Sequence, residues 1–517
     1  MVCWKDYVPA LRFWCVALWT FVIGLGQTAS AIEWSTLTSF KDVRRLTVIN
    51  DTLWAATSGG LLAIHDGIES ITEYTNVDGL GTTDVFDIIM DGNGQKWVAG
   101  MGRLVRFGGT ESRQFLENDD NSDPYALYRI VDHGDDLWIG TSIRLELFSK
   151  TSDGGEFPFW YTRFGDLADD PEVRDVLLLG DSIWLATSAG LATADITDPR
   201  ILGQSSRWTT WSTEWFADGG LERVVAWESD LYLAASTGLW RLTILNGDTN
   251  ITRLDVGAGV RFTDLHLEND SLFFYYEGGM GAIVDGTPTV IPTPGLPAAP
   301  NTGVSFGGRR WLAVSQEGIY YDSNGTFVEF RRTGLPINQV SDLTVNRDGV
   351  ITAAFTWQPA ATLIDNLWES YDFYVGERTT LLISDSNGVP WLGTRGNGLW
   401  LLGEDSATNY DEENSTLIGN TDDPPNGLRW IVINGLATDG RYLFAACYRA
   451  ANGYPVAFAD LANIDDPVFG WGALGADDGL DHSFVVSLDY YSGLVAVGNE
   501  SNGVYVCNVG DNPFDRP

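Results

Sequence analysis

Short apolar segments alternate with turns rich in Gly, Asp and Asn along the chain after residue 32. In one unit, VFDIIMD (85–91) is followed by the turn Gly92-Asn93-Gly94, then by KWVAG (96–100) and LVRF (104–107). Two strand-length apolar segments joined by a tight turn are typical of a β-hairpin. No stretch after residue 32 carries a sustained apolar period of about 3.6 residues with helix caps at both ends. The pattern therefore predicts an all-β fold.

One short phrase recurs along the chain, with an aromatic or aliphatic residue at its centre. It reads LWAATSGGL at 53–61, LWIGTSIRL at 137–145 and IWLATSAGL at 183–191. The central residues of all copies are Trp54, Trp97, Trp138, Trp184, Tyr232, Phe273, Trp311, Ile351, Trp391, Phe444 and Ala496. Their separations, between 38 and 53 residues, match the roughly 40–50 residues of a four-stranded propeller blade. Eleven such units are present.

A β-propeller built of four-stranded blades is the predicted architecture. Because propeller rings close with about 4 to 8 blades, we expect one seven-bladed ring at 32–330 and a second, partial ring of about four blades at 331–517. One larger irregular ring or arc is the alternative. We expect EWSTLTSF (33–40) to supply the outer strand that closes the seventh blade. An open arc exposes sheet edges, so the C-terminal third is expected to be the less stable part.

The repeat anchors are predicted to be structural. A blade can bury the faces of its sheet only against the neighbouring blades, and a large indole at a fixed position of each repeat is suited to fill that interface. The tryptophans concerned are Trp54, Trp97, Trp138, Trp184, Trp311 and Trp391.

The amino-terminal residues have the pattern of an export signal. Lys5 and Arg12 precede an apolar run at 13–26, which ends in Ala29-Ser30-Ala31, the small-x-small sequence that signal peptidase accepts. Residues 1–31 are therefore predicted to be a signal peptide, and the protein to be exported to the periplasm, the cell surface or the extracellular space. No later apolar run is longer, so no membrane span is expected after cleavage, because a span needs about 20 residues.

Two cysteines remain after this cleavage, Cys447 and Cys507. An oxidising compartment permits a disulfide between them. Two separately buried small residues in adjacent repeats are the equal alternative.

Composition excludes several classes of partner. The 517 residues include 70 acidic and 31 basic side chains, for a net charge of -39. Nucleic-acid binding requires a basic surface, so nucleic acid is excluded as a partner. An aromatic content of 12% argues against disorder, which is typical of chains poor in aromatic residues.

Catalytic motifs are absent from the sequence. No Lys follows a Gly, so there is no phosphate-binding loop, and the four histidines do not form an HExxH pair. In Asp91-Gly94 and Asp385-Gly388 the Asp stands three residues before the Gly, whereas the sialidase Asp-box places it two residues before. We therefore predict a protein without a catalytic site or bound cofactor. A propeller glycan hydrolase or lyase is the alternative, because paired carboxylates on propellers perform that chemistry.

One end of the propeller is predicted to bind a ligand, because the loops from strand D to the next strand A and those from B to C open on the same end. The D-to-A loops are acidic: 117–123, 165–172, 215–220, 410–426 and 475–481. The B-to-C loops contribute Arg103, Arg144 and Arg395. An acidic rim with a few Arg side chains suits a glycan, another polar ligand or a cell-envelope protein better than a polyanion. A merely solvated acidic surface is the alternative.

A calcium site is a further candidate in the first of these loops. Asp119, Asp120, Asn121 and Asp123 carry oxygen atoms of the kind that Ca²⁺ prefers, although they lack the spacing of an EF-hand.

The motif D-x-x-G-x-x-W-x-G/A, followed by T-S-x-G-L and by D-G-L at Asp78-Gly79-Leu80, resembles the two-component regulator propeller repeat. The stretch 34–107, with INDTLWAATSGGLLAIHDG and YTNVDGLGTTDVFDI, is similar to the amino-terminal β-propeller of PorZ-type proteins, which are associated with type IX secretion. This resemblance implies an exported, non-catalytic binding or interaction scaffold at the cell surface, either PorZ-like or a sensor propeller.

Overall fold

A computed structural model describes most of the chain after residue 34. The described ranges are 35–65, 70–108, 111–116, 123–151, 154–245, 248–256, 259–330, 334–356, 360–365, 367–371, 378–403, 406–420 and 430–515. They are 58% strand and 4% helix, which confirms the predicted all-β fold. The predicted signal peptide lies outside these ranges. The architecture below belongs to one compact unit, Leu37–Pro517.

Seven four-stranded antiparallel sheets come first, each made of four consecutive strands, and we number them blades 1 to 7. Blade 1 contains β1 (Val43–Ile49), β2 (Thr52–Thr57), β3 (Gly60–Ile64) and β4 (Ile71–Tyr74); blade 2, β5 (Val85–Met90), β6 (Lys96–Gly100), β7 (Arg103–Phe107) and β8 (Arg113–Leu116); blade 3, β9 (Leu127–His133), β10 (Asp136–Thr141), β11 (Leu145–Ser149) and β12 (Glu156–Tyr161); blade 4, β13 (Val173–Leu179), β14 (Ser182–Thr187), β15 (Gly190–Asp195) and β16 (Thr209–Ser212). Blade 5 contains β17 (Leu221–Trp227), β18 (Asp230–Ala235), β19 (Gly238–Leu245) and β20 (Asp248–Leu254); blade 6, β21 (Phe262–Glu268), β22 (Ser271–Tyr276), β23 (Gly279–Val284) and β24 (Thr287–Ile291); blade 7, β25 (Pro300–Phe306), β26 (Arg309–Val314), β27 (Gly318–Ser323) and β28 (Thr326–Glu329).

Blades 8 to 11 follow in the described residues and form three further sheets: blade 8 has four strands, blades 9 and 10 are joined in one eight-stranded sheet, and blade 11 has three strands. Blade 8 contains β29 (Val340–Val345), β30 (Ile351–Phe355), β31 (Ala360–Ile364) and β32 (Leu367–Ser370); blade 9, β33 (Thr379–Ser384), β34 (Pro390–Gly396), β35 (Leu399–Leu402) and β36 (Ala407–Tyr410); blade 10, β37 (Ile431–Thr438), β38 (Tyr442–Cys447), β39 (Val456–Asp460) and β40 (Trp471–Leu474); blade 11, β41 (Val485–Tyr491), β42 (Leu494–Asn499) and β43 (Gly503–Asn508). The helices of the described residues are short 3-10 turns at Asn76–Asp78, Pro199–Ile201, Ser205–Arg207, Thr213–Phe216 and Ala476–Asp478.

Blades 1 to 7 close a ring. The inner strand β25 of blade 7 packs against β1 of blade 1, and Val304 and Trp311 share one buried cluster with Val43 and Leu46. Blades 8 to 11 pack one after another through β29, β33, β37 and β41. This topology confirms the predicted propeller with one seven-bladed ring and a second, incomplete ring. Residues 331–333, where the two predicted domains meet, lie outside the described ranges.

The segment expected to close the seventh blade does not form a strand. Blade 7 obtains its outer strand from β28, which pairs with β27. The described residues 35–40 have no strand assignment. They contact the connection that follows blade 7 instead, since Thr38 O accepts a hydrogen bond from Leu335 N at 2.9 Å and Phe40 is 2% exposed in the interface between blades 7 and 1. The expectation for 33–40 was therefore wrong in its described part, because an outer strand is available in the chain directly after β27.

The D-x-x-G-x-x-W motif is a turn held by its Asp. Asp91 Oδ1 accepts the backbone N–H groups of Asn93 and Gln95, at 3.0 and 2.9 Å, and Oδ2 accepts the indole N–H of Trp97 at 2.9 Å. Gly94 has φ +79°, a conformation that favours Gly because it has no Cβ. Asp385, Gly388 and Trp391 repeat these contacts in blade 9. The motif is thus a structural device that ties a hairpin turn to the blade interface.

The small residue two positions after the Trp is explained by blade packing. A Cβ atom at Gly140 would lie 2.5 Å from the carbonyl oxygen of Val173 in the next blade. A larger residue at this position would therefore force the inner strand of blade 4 away from blade 3.

The six anchor tryptophans lie in the second strand of their blades and are between 1% and 7% exposed. Their indole nitrogens are not equivalent. Trp97 donates to Asp91 and Trp311 donates to Phe306 O at 3.1 Å. Trp54 Nε1 and Trp138 Nε1, by contrast, have no hydrogen-bond partner among the described residues. The anchors therefore contribute mainly apolar area, and only some of them add a polar contact.

Cys447 and Cys507 are not joined in a disulfide. Cys447 is 1% exposed, in the cluster shared by blades 9 and 10, and burial raises the pKa of its thiol to about 12. Cys507 lies in the outermost strand of blade 11 and is partly exposed.

We expect iodoacetamide at pH 8 to alkylate Cys507 at least tenfold faster than Cys447 in the folded protein, because the thiolate is the reacting form and burial suppresses it. Mass spectrometry of the two cysteine-containing peptides measures both rates, and denatured protein is the control in which the rates should converge. Equal rates in the folded protein would contradict the burial of Cys447.

Candidate ligand-binding site

The three arginines predicted to line the ligand face lie in separate blades, and the structure does not bring them together. Arg103 begins β7, and its Nη1 donates to Gln114 Oε1 at 2.6 Å. Arg144 lies in the turn between β10 and β11. Its Nε is 2.6 Å from Oε1 of the buried Glu146, which ties its side chain to its own blade. Arg395 is exposed and lies in a pocket.

This pocket has a volume of about 460 Å³ and lies between blades 9 and 10. We call it the arginine pocket. Its lining residues are Thr380, Arg395, Asn420, Trp430, Val432, Asn434, Tyr448 and Arg449. They combine two guanidinium groups, two aromatic rings and three side chains with neutral hydrogen-bonding groups.

Equivalent positions of two neighbouring blades build the pocket. Arg395 follows Thr394, which pairs with the first residue of β33, and Tyr448 follows Cys447, which pairs with Ile433 of β37. The matching backbone bonds are Arg395 N to Arg378 O at 2.8 Å and Tyr448 N to Val432 O at 2.9 Å. The repeat therefore places the two side chains at corresponding points of the B-to-C loops.

Two inner-strand side chains form the side of the pocket nearest the ring axis. Thr380 and Asn434 each lie at the irregular start of an inner strand, where the pairing register shifts. Thr380 Oγ1 donates to Ile433 O at 2.8 Å, so its position is fixed by the neighbouring blade. Arg395 also pairs with Val432 of β37, which joins blades 9 and 10 directly beneath the pocket.

Arg449 is held in a strained turn. Its φ is +58°, a conformation that non-glycine residues adopt at a cost of about 1–3 kcal/mol and that clusters at functional sites. Its backbone N–H donates to Ser483 O at 2.7 Å, and its guanidinium carbon lies 5.4 Å from the centre of the Phe484 ring. These contacts hold the second guanidinium group of the pocket in place.

The aromatic residues differ in exposure and partners. Trp430 is 37% exposed. Tyr448 OH donates to Glu500 Oε2 at 3.1 Å. Burial and the Glu500 carboxylate raise the pKa of Tyr448, although the positive charges of Arg449 and Arg395 oppose this. The phenol therefore stays protonated near neutral pH and can act as a hydrogen-bond donor.

Sequence analysis found Arg395 and missed Arg449, Trp430 and Tyr448. Tyr448 ends YLFAACY (442–448), a weak copy of the repeat phrase, and Trp430 follows the long loop between β36 and β37. A signal existed, because Tyr448 and Arg395 occupy the same position when the paired strands of the two blades are aligned. The repeat phrase in blade 10 is too weak for this alignment to be made from the sequence alone.

The candidate calcium ligands Asp119, Asp120 and Asn121 lie outside the described residues, whereas Asp123 is described and exposed. Within the part of the chain that the structure describes, no group of three His, Cys, Asp or Glu side chains is arranged to hold a metal ion.

The fold of the chain is similar to several solved structures. No protein-family model and no curated protein matches its sequence. PorZ of Porphyromonas gingivalis, a surface component of the type IX secretion system, has a TM-score of 0.69 at 16% identity, over 93% of this chain and 66% of PorZ. An ancestral GH74 enzyme has a TM-score of 0.60 at 11% identity, over 92% of this chain and 78% of the enzyme. The extracellular domain of a hybrid two-component system from B. thetaiotaomicron follows with a TM-score of 0.44 at 13% identity, over 91% of this chain and 64% of that domain.

The predicted resemblance to PorZ-type propellers is confirmed among these structural neighbours. At these identities the likeness concerns the fold, and the chain spans about two thirds of the length of PorZ. The neighbours include both PorZ, a bacterial surface component, and GH74 enzymes. In the described residues, no helix has the length and apolarity needed to cross a membrane.

Proposed function

We propose that this protein is an exported, non-catalytic propeller that binds a glycan carrying a carboxylate group, and that the arginine pocket is its binding site. The observation that carries the proposal is the convergence of Arg395, Arg449, Trp430 and Tyr448 around one cavity between two blades. Guanidinium groups pair with carboxylates through two parallel hydrogen bonds. Aromatic rings lining a pocket offer apolar contact area beside a few oriented polar groups.

The charge of the whole chain narrows the ligand class. The protein carries a net charge of -39, so a polyanion is repelled before it reaches the pocket. A sugar with an isolated carboxylate avoids most of this repulsion and still pairs with the local arginines. Arg395 supports this choice, because none of the described carboxylates forms an ion pair with it and its side chain is exposed.

The composition of the pocket supports binding without catalysis. Glycoside hydrolysis generally requires two carboxyl groups about 5–10 Å apart on either side of the scissile bond. The lining residues of the arginine pocket include neither Asp nor Glu, and the nearby Glu500 accepts a hydrogen bond from Tyr448.

The predicted export signal and the fold support a proposal for the cellular role. We place the protein in the periplasm or at the cell surface, where it would act as a PorZ-like scaffold or as a sensor propeller with a cell-envelope protein as partner. The similarity of its fold to PorZ and the predicted signal peptide support this placement.

We expect the protein to bind an oligosaccharide that carries a single glucuronate residue on a glycan array, and to bind the neutral oligosaccharide of the same length at least tenfold more weakly. Arg395→Gln should weaken binding by about tenfold or more, because a lost charge-assisted hydrogen bond costs about 1.5–3 kcal/mol. Trp430→Ala should reduce affinity for neutral and acidic sugars alike. Titration calorimetry with each variant measures these effects.

Arg200→Gln is the matched control, since it removes the same charge from a side chain that is 76% exposed in blade 4, and it should bind as the unaltered protein does. Equal affinity of the Arg395→Gln variant and the unaltered protein for the oligosaccharide with a single glucuronate would contradict the proposed site. Release of reducing ends at catalytic rates would favour the hydrolase or lyase alternative.

A further inference from the structure

A belt of alternating charges surrounds the axis of the seven-bladed ring. Each inner strand has a register shift near its start, and the residue directly after the shift contributes one member. The members of this axial belt, in blade order, are Arg45, Asp87, Arg129, Asp175, Arg223, Asp264 and Thr302. Arginine occupies blades 1, 3 and 5, and aspartate occupies blades 2, 4 and 6.

Neighbouring members of the belt form ion pairs. The distances are 3.1 Å for Arg45 Nε–Asp87 Oδ1, 3.3 Å for Arg129 Nη1–Asp87 Oδ2, 3.0 Å for Arg129 Nε–Asp175 Oδ1 and 2.8 Å for Arg223 Nε–Asp264 Oδ1. Two carboxylates also accept a backbone N–H from the following blade: Asp87 from Ile130 and Asp175 from Val224, both at 3.0 Å. The belt therefore links one blade to the next.

Seven is an odd number, so strict alternation of charge cannot close the ring. The seventh position is the neutral Thr302, whose hydroxyl donates to Asp264. Arg129 lies between two aspartates, whereas Arg45 has Asp87 on one side and Thr302 on the other. Arg45 Nη2 is buried and has no hydrogen-bond partner among the described residues.

The electrostatic surroundings of the arginines reflect this difference. Burial and the positive charge of Arg129 lower the pKa of Arg45 to about 10, and Asp87 opposes this only in part. Burial acts in the same direction on Arg129, but Asp87 and Asp175 together raise its pKa above the ordinary value. Arg45 is thus the one arginine of the belt that lacks sufficient negative charge around it.

A cavity of about 570 Å³ adjoins the belt. Three arginines and three carboxylates line it: Arg45, Arg129, Arg223, Asp175, Asp264 and Glu268. Asp175 pairs with Arg129, Asp264 with Arg223 and Glu268 with Arg310. The side chain of Arg45 lines the cavity and is 12% exposed. The cavity belongs to the seven-bladed ring and shares no lining residue with the arginine pocket of blades 9 and 10.

We propose that this axial cavity binds a small oxyanion, a carboxylate or a phosphate, at Arg45 in the seam between blades 7 and 1. The anion pairs with the guanidinium group of Arg45, which has a carboxylate neighbour in blade 2 and only the neutral Thr302 in blade 7. A charge-assisted hydrogen bond to a guanidinium group that is largely removed from water is strong, and an unpaired buried donor is costly. Both effects favour an occupied site.

Titration calorimetry of the full chain with acetate, phosphate and sulfate, at constant ionic strength, tests this proposal. We expect saturable binding of at least one of these anions with one site per chain, and the acetate and phosphate arms distinguish a carboxylate site from a phosphate site. Arg45→Gln should weaken binding at least tenfold. Arg200→Gln should leave it unchanged, since this residue lies outside the cavity, whereas any anion binding that is lost in Arg395→Gln belongs to the arginine pocket.

Thr302→Asp provides a second variant in case the loss of Arg45 prevents folding. It keeps Arg45 and places a carboxylate of the chain itself in the seam, so saturable anion binding should disappear, whereas Thr302→Ser should retain it. Unchanged binding in folded Arg45→Gln or Thr302→Asp protein, or an absence of saturable binding in the unaltered protein, would overturn the proposal.

Discussion

Replacing Asp87 by Ala is expected to lower the free energy of unfolding of the seven-bladed ring by about 3–5 kcal/mol, the usual cost of breaking a buried ion pair from one side. Asp87 is fully buried. It pairs with Arg45 and Arg129 and accepts the backbone N–H of Ile130. The variant therefore leaves Arg45 without a paired carboxylate among the described residues, removes one of the two carboxylates paired with Arg129, and leaves the amide of Ile130 without its acceptor.

Hydrogen exchange followed by mass spectrometry, together with urea unfolding, measures this effect. Loss of protection should concentrate in β1, β5 and β9, the inner strands that meet at Asp87. Asp198→Ala is the control, because the Asp198–Arg200 pair is at the surface and such pairs contribute about 0–1 kcal/mol. A change of less than about 1 kcal/mol for Asp87→Ala would mean that the belt does not hold the ring together.

Strand positions and blade number could be read from the sequence because the signals are local. Each hairpin has its own turn residues, and Asn50-Asp51 adopts the positive φ angles of +47° and +55° that tight hairpin turns require. The repeat phrase marks the second strand of a blade, and its period reports the length of a blade. The turn residues and the repeat phrase are properties of a single blade and do not depend on how the blades are arranged.

The ion pairs of the axial belt join different blades of the closed ring, so the belt is not apparent in the sequence of a single repeat. The function of Arg45 or Asp87 cannot be inferred from its own repeat, because the partners of each residue lie in other blades of the closed ring. A faint signal was present, since each belt residue stands nine or ten positions before the anchor of its repeat, as Arg129 does before Trp138. Only alignment of the repeats on their paired strands makes the alternation of charge visible.

Only Arg395 of the arginine pocket was predicted, for a related reason. Arg395 lies within a strong copy of the repeat phrase, whereas Tyr448 ends a weak copy and Arg449 directly follows it. Arg395 and Tyr448 occupy equivalent loop positions. This equivalence is visible in the backbone pairing of the two blades, but not in the residue types. Side chains in such loops are exposed and can vary between repeats. The anchor residues are recognisable because packing between blades restricts them to large apolar types.

Replacing Trp97 by Ala is expected to cost about 3–5 kcal/mol of stability, as large-to-small changes of buried aromatic residues do. Trp97 is 2% exposed, and its ring lies 5.4 Å from that of Phe148 in blade 3 and 6.1 Å from that of Phe115, centre to centre. The cavity would open at the interface of blades 2 and 3, where both the turn motif and the belt connect the same two blades. Thermal and urea unfolding measure the loss.

The conservative changes Trp97→Phe and Trp138→Phe separate packing from hydrogen bonding. The two indoles are 2% and 1% exposed, but only Trp97 donates to a carboxylate, that of Asp91, whereas Trp138 Nε1 has no partner among the described residues. Trp97→Phe should therefore cost about 1.5–3 kcal/mol more than Trp138→Phe, the usual value of a hydrogen bond to a charged group. Equal costs would show that the indole N–H of Trp97 contributes nothing.

Acidification provides an independent check on the same bond. Burial raises the pKa of Asp91, but hydrogen bonds from Trp97 and from the Gln95 amide, together with Lys150, lower it by more, so it lies below the ordinary value. A carboxylate with a depressed pKa in the folded state contributes stability above the unfolded-state pKa, near 3.9, and loses it as the pH falls through the folded-state value. The stability difference between the unaltered protein and Trp97→Phe should thus be largest near neutral pH and narrow below about pH 4. In Trp138→Phe, where no carboxylate is involved, the difference should not change with pH.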